Sequence, residues 1–146
     1  MTSNEKDRPS KAQYRHAAEL RGALRSFLRQ TAKISRAHGL TPERYELLLA
    51  IKIESEQNGG ATVTGLCQPL LLSQSAVTQL VRRAENLGLL RRELSPRDSR
   101  IRYLRLTPEG EHRLAGAVTA LGPERARLAA TLGHRLLRAS KAQPPE

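Results

Sequence analysis

Apolar positions along this 146-residue chain recur mostly at helical spacing, with one short basic stretch that reads as paired strands. From Lys11 to Arg36, Tyr14, Ala17, Leu20, Leu24, Phe27 and Ile34 keep a period near 3.6, which predicts one long helix. His38-Gly39 breaks it. Thr41-Pro42-Glu43 then opens a second helix: Thr41 caps, Pro42 needs no amide partner in the first turn, and Glu43 suits the positive end. Tyr45, Leu47, Leu48, Ile51 and Ile53 supply its apolar positions, and Asn58-Gly59-Gly60 ends it. Ala61–Val63 is expected as a brief strand, with Thr64 capping a short helix through GLCQPLLL. Pro69 removes a backbone bond there and should shorten, bend or tighten that helix.

The stretch from Ser73 to Arg105 carries the most information. Ala76, Val77, Leu80, Val81, Ala84 and Leu87 share one helical face. The opposite face holds Gln74, Ser75, Thr78, Gln79, Arg82 and Arg83, with no apolar interruption. Ser73 caps the helix and Gly88 can close it. Two strands follow, Arg91–Leu94 and Ile101–Leu106, around the turn Ser95-Pro96-Arg97-Asp98-Ser99. Thr107-Pro108-Glu109 repeats the helix start seen at Thr41, and Leu114, Ala117, Val118 and Leu121 line the helix that it opens. Gly122-Pro123 breaks it before a last helix with Leu128, Leu132, Leu136 and Leu137. Residues 1–10 and 140–146 read as flexible tails, leaving a single domain over 11–139.

Charge changes this picture from a generic helical domain to a binding module. Lys and Arg number 25 against 14 Asp and Glu, a formal net charge of +11, so the expected partners are polyanions. Between Arg91 and Arg105 six arginines face two acids, a net +4 on one hairpin. Aromatic content of 3% disfavours single strands bound by base stacking. A polar helix face beside an arginine-rich ribbon suits double-stranded DNA. The long first helix has more apolar stripe than one small core can cover, and a second subunit would cover the rest.

Other chemistry finds little support. Cys67 stands alone, which excludes an intrachain disulfide framework, and its apolar neighbours favour a core thiol over a redox sensor. His16, His38, His112 and His134 have no metal-ligand spacing, although folding could still bring His38 and His112 together. No catalytic triad or carboxylate cluster stands out, so neither an enzyme nor a cofactor is expected. No apolar run approaches a membrane span, and the start MTSNEKDRPS lacks the apolar core of a secretion signal. A cytoplasmic protein is expected.

Three stretches together resemble the MarR family of multiple antibiotic resistance regulators: HGLTPERYELLLAI, TVTGLCQPLLLSQSAVTQLVRRAENLGLLRR and SPRDSRIRYLRLTPEGE. The resemblance covers about residues 38–111, and Gln68-Pro69 departs from it by standing where helix-favouring residues are expected. It implies a mainly α fold with a small β-hairpin wing (α+β). The winged helix-turn-helix would span 40–107, with dimerisation helices at 11–36 and 108–139. It also implies a homodimer on a roughly palindromic site, read as a transcription regulator, a repressor released by a small-molecule effector. The rival reading is a sequence-tolerant architectural DNA binder.

Residue roles follow. Gln74, Ser75, Thr78, Gln79 and Arg82 are expected at the major groove, with Ser73 and Arg83 on the DNA backbone. Arg82 also suits phosphate, and one of the two arginines could instead pair with Glu85 or Asn86. Arg97 and Arg100 belong to the wing tip, where the resemblance implies that Asp98 braces Arg100 for the minor groove. Phe27, His38 and Tyr45 are candidate linings of an effector pocket, with ordinary core packing as the competing reading.

Overall fold

The computed structural model describes residues 8–141, with side chains to His134; the remainder of both expected tails lies outside the described residues. Six helices and one hairpin follow in the order α1 (Lys11–Ala37), α2 (Pro42–Asn58), α3 (Val63–Leu70), α4 (Gln74–Asn86), β1 (Leu90–Leu94), β2 (Arg102–Leu106), α5 (Pro108–Ala120) and α6 (Gly122–Lys141). They form two compact units. One comprises residues 32–121, and the other joins the described residues up to Thr31 with those from Gly122 onward.

The core of the 32–121 unit is built from the predicted apolar faces. Leu47, Leu48 and Ile51 of α2, Leu66 of α3, and Val77, Val81 and Ala84 of α4 are fully buried. Leu89, Leu90 and Leu104 bring the hairpin onto the same core, and Leu114, Ala117 and Leu121 bring α5. Thr41 and Thr107 cap α2 and α5 by accepting from the amides of Arg44 and Gly110. Lys52 of α2 reaches Glu111 of α5 at 3.0 Å. That hydrogen bond, reinforced by the charge of Glu111, raises the Lys52 pKa above its ordinary value.

Three local expectations are corrected. The helix α3 is capped by Thr62, not Thr64: the Thr62 side chain accepts from the Gly65 amide. The expected strand at Ala61–Val63 reduces to one bridge, Ala61 with Leu104, and Val63 already belongs to α3. This bridge fixes Ala61 against the hairpin and leaves Thr62 extended, so the helix starts directly after it. The spacing puts Leu87 on the buried face of α4, but it is 51% exposed, because the helix stops at Asn86. Pro69 shortens α3 as expected. The helix ends one residue later, and Leu71 turns the chain at φ 53°, ψ 41°.

In the other unit, Ala23, Ser26 and Phe27 of α1 face Glu124, Arg127, Leu128 and Thr131 of α6 across a small hollow of about 120 Å³. Both carboxylate oxygens of Glu124 accept from Arg127 at 2.9 Å.

Candidate nucleic-acid interface

The start of α4 is set by Ser73, whose hydroxyl accepts from the Ala76 amide at 3.2 Å. With Val77, Val81 and Ala84 buried, helical geometry turns Gln74, Ser75, Gln79, Arg82 and Arg83 outward, and all five are exposed. Ser73 is exposed beside them. Thr78 differs: it is half-buried and its hydroxyl donates to the Gln74 carbonyl at 2.8 Å. Its oxygen can still accept, but its proton is committed to the helix. Neither Arg82 nor Arg83 has an ion pair with a described residue. Glu85 instead takes Arg92 of β1 at 3.2 Å, so both arginines keep their guanidinium groups available.

The hairpin is antiparallel, with Leu90 opposite Leu106 and Leu94 opposite Arg102. Its base is fixed by burial of Leu90 and Leu104. Its outer face is fixed by Arg105, which lies 5.3 Å from the centre of the Tyr103 ring and donates to the Gly59 carbonyl at 2.9 Å. Gly60 permits this attachment, since a Cβ there would meet the Tyr103 ring at 2.3 Å. Glu93 adds ion pairs to Arg91 at 3.0 Å and Arg105 at 3.8 Å. Along the strands, Arg91, Arg92 and Arg105 therefore have carboxylate partners within the fold, and with Arg100 at the tip, which pairs with Asp98, four of the six hairpin arginines do.

The tip is organised differently. Ser95, buried, accepts from the amides of Arg97 and Asp98. Asp98 Oδ1 accepts from the Arg100 amide at 3.0 Å and from its Nε at 3.3 Å. One oxygen thus shapes the loop and orients the guanidinium, while the Arg100 side chain stays 91% exposed. Arg97 is exposed on the same loop. Arg102, not among the predicted contacts, is also exposed and has no ion pair with a described residue. Its position opposite Leu94, beyond the buried base of the hairpin, was the signal that could have singled it out.

The three candidate pocket residues do not line one pocket. Phe27 lines the hollow against α6. His38 lines an open groove of about 530 Å³ together with His112, Ala115, Gly116, Thr119 and Ala120. Tyr45 is only 8% exposed and belongs to the core, as ordinary packing predicts. His38 and His112 do converge on one groove, but among the described residues no group of three or more His, Cys, Asp or Glu could hold a metal. Cys67 is half-buried against the core, with its thiol donating to the Val63 carbonyl at 3.4 Å.

The polar face of α4, the turn before it and the braced hairpin all belong to the 32–121 unit. Residues 38–101 match the model of the MarR family. Over this stretch, which holds α2 to the hairpin turn, the chain is similar to the MarR family. The transcriptional regulator HosA of Escherichia coli O111:H- is 34% identical to it over 79 residues, which cover 54% of this chain and 56% of HosA. The chain spans about half the length of the curated relatives it matches. Among solved structures, the MarR family transcriptional regulator AbsC from Streptomyces coelicolor aligns with a TM-score of 0.66 at 23% identity, over 97% of this chain and 90% of AbsC. The Mycobacterium tuberculosis transcriptional regulator MOSR, solved in complex with DNA, aligns at 0.61 and 22%, over 86% of this chain and 90% of MOSR. These alignments establish the winged-helix fold. Among the described residues, no helix is long and apolar enough to cross a membrane.

Proposed function

We propose that this chain is a sequence-specific double-stranded DNA-binding transcription regulator of the MarR family that acts as a homodimer. The observation that carries this reading is the exposed row Gln74, Ser75, Gln79, Arg82 on α4, held in the same unit as the Asp98-braced Arg100. In this reading α4 enters the major groove by its amino-terminal turns. Gln74 and Gln79 pair with base edges, and Ser73, Arg82 and Arg83 hold phosphates. Thr78 serves as an acceptor only. Arg97 and Arg100 reach the minor groove alongside, where a narrow groove rewards an inserted guanidinium. Arg102 joins them as a phosphate contact. A two-fold dimer then requires half-sites about one helical turn apart.

The regulator is read as a repressor. The groove lined by His38 and His112 is the place assigned to a small-molecule effector, since it is open and lies away from the α4 row in sequence. To switch the protein, the effector must favour one spacing of the two α4 helices over another.

Selection of bound sequences from a random duplex pool tests the central claim. A palindrome enriched by a factor of ~10³ or more over random duplex is expected. Recovery of random sequence would overturn the specific reading in favour of the architectural one. On the selected site, Arg100→Ala should weaken binding and lower the salt slope by about one counterion. An unchanged slope removes Arg100 from the interface.

A further inference from the structure

The charge of this chain does not sit mainly where the proposed DNA contacts are. Residues 38–121, which hold α4 and the hairpin, have a formal net charge of only +2. The sequence of α6 carries +4, and α1 carries +6, from seven basic residues against the single acid Glu19.

The arrangement on α1 is ordered. Arg21, Arg25, Arg29 and Lys33 follow one another at steps of four residues. Taking ~100° per residue, these four together with Lys11, Arg15 and Arg36 fall within one arc of about 120°. All seven are exposed, and none has an ion pair with a described residue. Like charges at this spacing repel and weaken an isolated helix. Elsewhere the chain neutralises such positions: Glu109 takes Arg113 on α5, and Glu124 takes Arg127 on α6. The opposite side of α1 holds Leu20, Ala23, Phe27 and Ile34, all half-buried, so the basic arc is not the packing face. Leu24 and Leu28, exposed apolar residues suited to a subunit contact, lie outside the arc as well.

We propose that the basic arc of α1 is a binding surface for the phosphate backbone of duplex DNA, additional to the residues proposed for α4 and the wing. The chemistry fits a phosphate ridge and little else. Five of the seven cations are arginines, whose planar fork matches phosphate oxygens. The intervening positions on the arc are Tyr14, Ala18, Gly22 and Ala32, so it has almost nothing to read a base with and small residues that let a rod approach. Only Tyr14 could enter a lipid surface, whereas interfacial helices insert a broad apolar face. From Lys11 to Arg36 the arc runs about 38 Å, longer than one turn of duplex. Such a surface binds without sequence preference and would let one protein hold two duplex segments.

The test uses the full-length protein and two unrelated duplexes of about 20 base pairs, one immobilised and one fluorescent, at low salt. Wild type should capture the fluorescent duplex on the immobilised one. The quadruple variant R21Q/R25Q/R29Q/K33Q should lose at least tenfold of that capture while still binding a single duplex through α4 and the wing. Glutamine keeps helix propensity and relieves repulsion, so the melting temperature should hold or rise. The double variant R25Q/R29Q gives the same readout, with a smaller loss, if the quadruple one does not fold. A helix–wing variant, Q79A/R97A/R100A, should retain a strongly salt-dependent affinity for random duplex. Equal capture by wild type and the α1 variants overturns the proposal, as does no capture by wild type. Preference of the arc for anionic phosphatidylglycerol vesicles over duplex also overturns it. None of these outcomes depends on whether a specific operator exists.

Discussion

At the scale of single residues, the chemistry of the candidate interface was legible but the pairing of its arginines was not. Gln74, Ser75 and Gln79 are exposed because Val77 and Val81 are buried, and that follows from spacing alone. The contact of Asp98 with Arg100 is one that the family resemblance of the turn implies, and it is present. Arg92 with Glu85 and Arg105 with the Gly59 carbonyl are contacts made by the folded hairpin, and nothing local announces them. Leu71 is a second residue that only the backbone explains. It is 88% exposed and occupies the left-handed region, where its Cβ crowds the following carbonyl. Leu71→Gly should therefore stabilise the protein by about 1 kcal/mol, seen as a higher urea midpoint. A lower midpoint would mean that the leucine side chain makes a contact worth more than its strain.

Among elements, the helices that begin with Thr-Pro-Glu were placed correctly from sequence, because capping hydroxyl, proline and acid all act within one turn. The start of α3 was misplaced by two residues because a non-local bridge, Ala61 with Leu104, decides it. Thr107 shows how one side chain can serve two elements. It accepts from the Gly110 amide at the start of α5 and donates to the Gly88 carbonyl just past α4. The end of the proposed recognition helix is thereby tied to the next helix. Thr107→Ala removes both bonds and should cost about 1–2 kcal/mol, whereas Thr107→Ser should stay within a few tenths. Chemical denaturation of both variants measures this. Equal losses would show that the threonine methyl, not its hydroxyl, matters.

For the whole molecule, the net charge of +11 first suggested a basic wing, yet α1 and α6 together carry +10 of it. Sequence contained those numbers; what it lacked was the pairing that gives four of the six hairpin arginines a carboxylate partner, while the α1 row has none among the described residues. The consequence bears on the proposed homodimer. If α1 and α6 join two copies, apolar contacts must hold together two strongly like-charged surfaces. Their repulsion extends over ~30 Å at 0.01 M salt but only ~8 Å at 0.15 M. Dimerisation should therefore tighten with salt, by roughly three- to tenfold between 20 and 300 mM sodium chloride in sedimentation equilibrium. DNA binding must move the opposite way, because each phosphate contact releases a counterion that high salt restores. The two trends separate cause from effect: a loss of DNA binding at high salt cannot then be ascribed to subunit dissociation. A dimer that weakens as salt rises would instead be held by ion pairs across the subunits, and the basic helices could not be its seam.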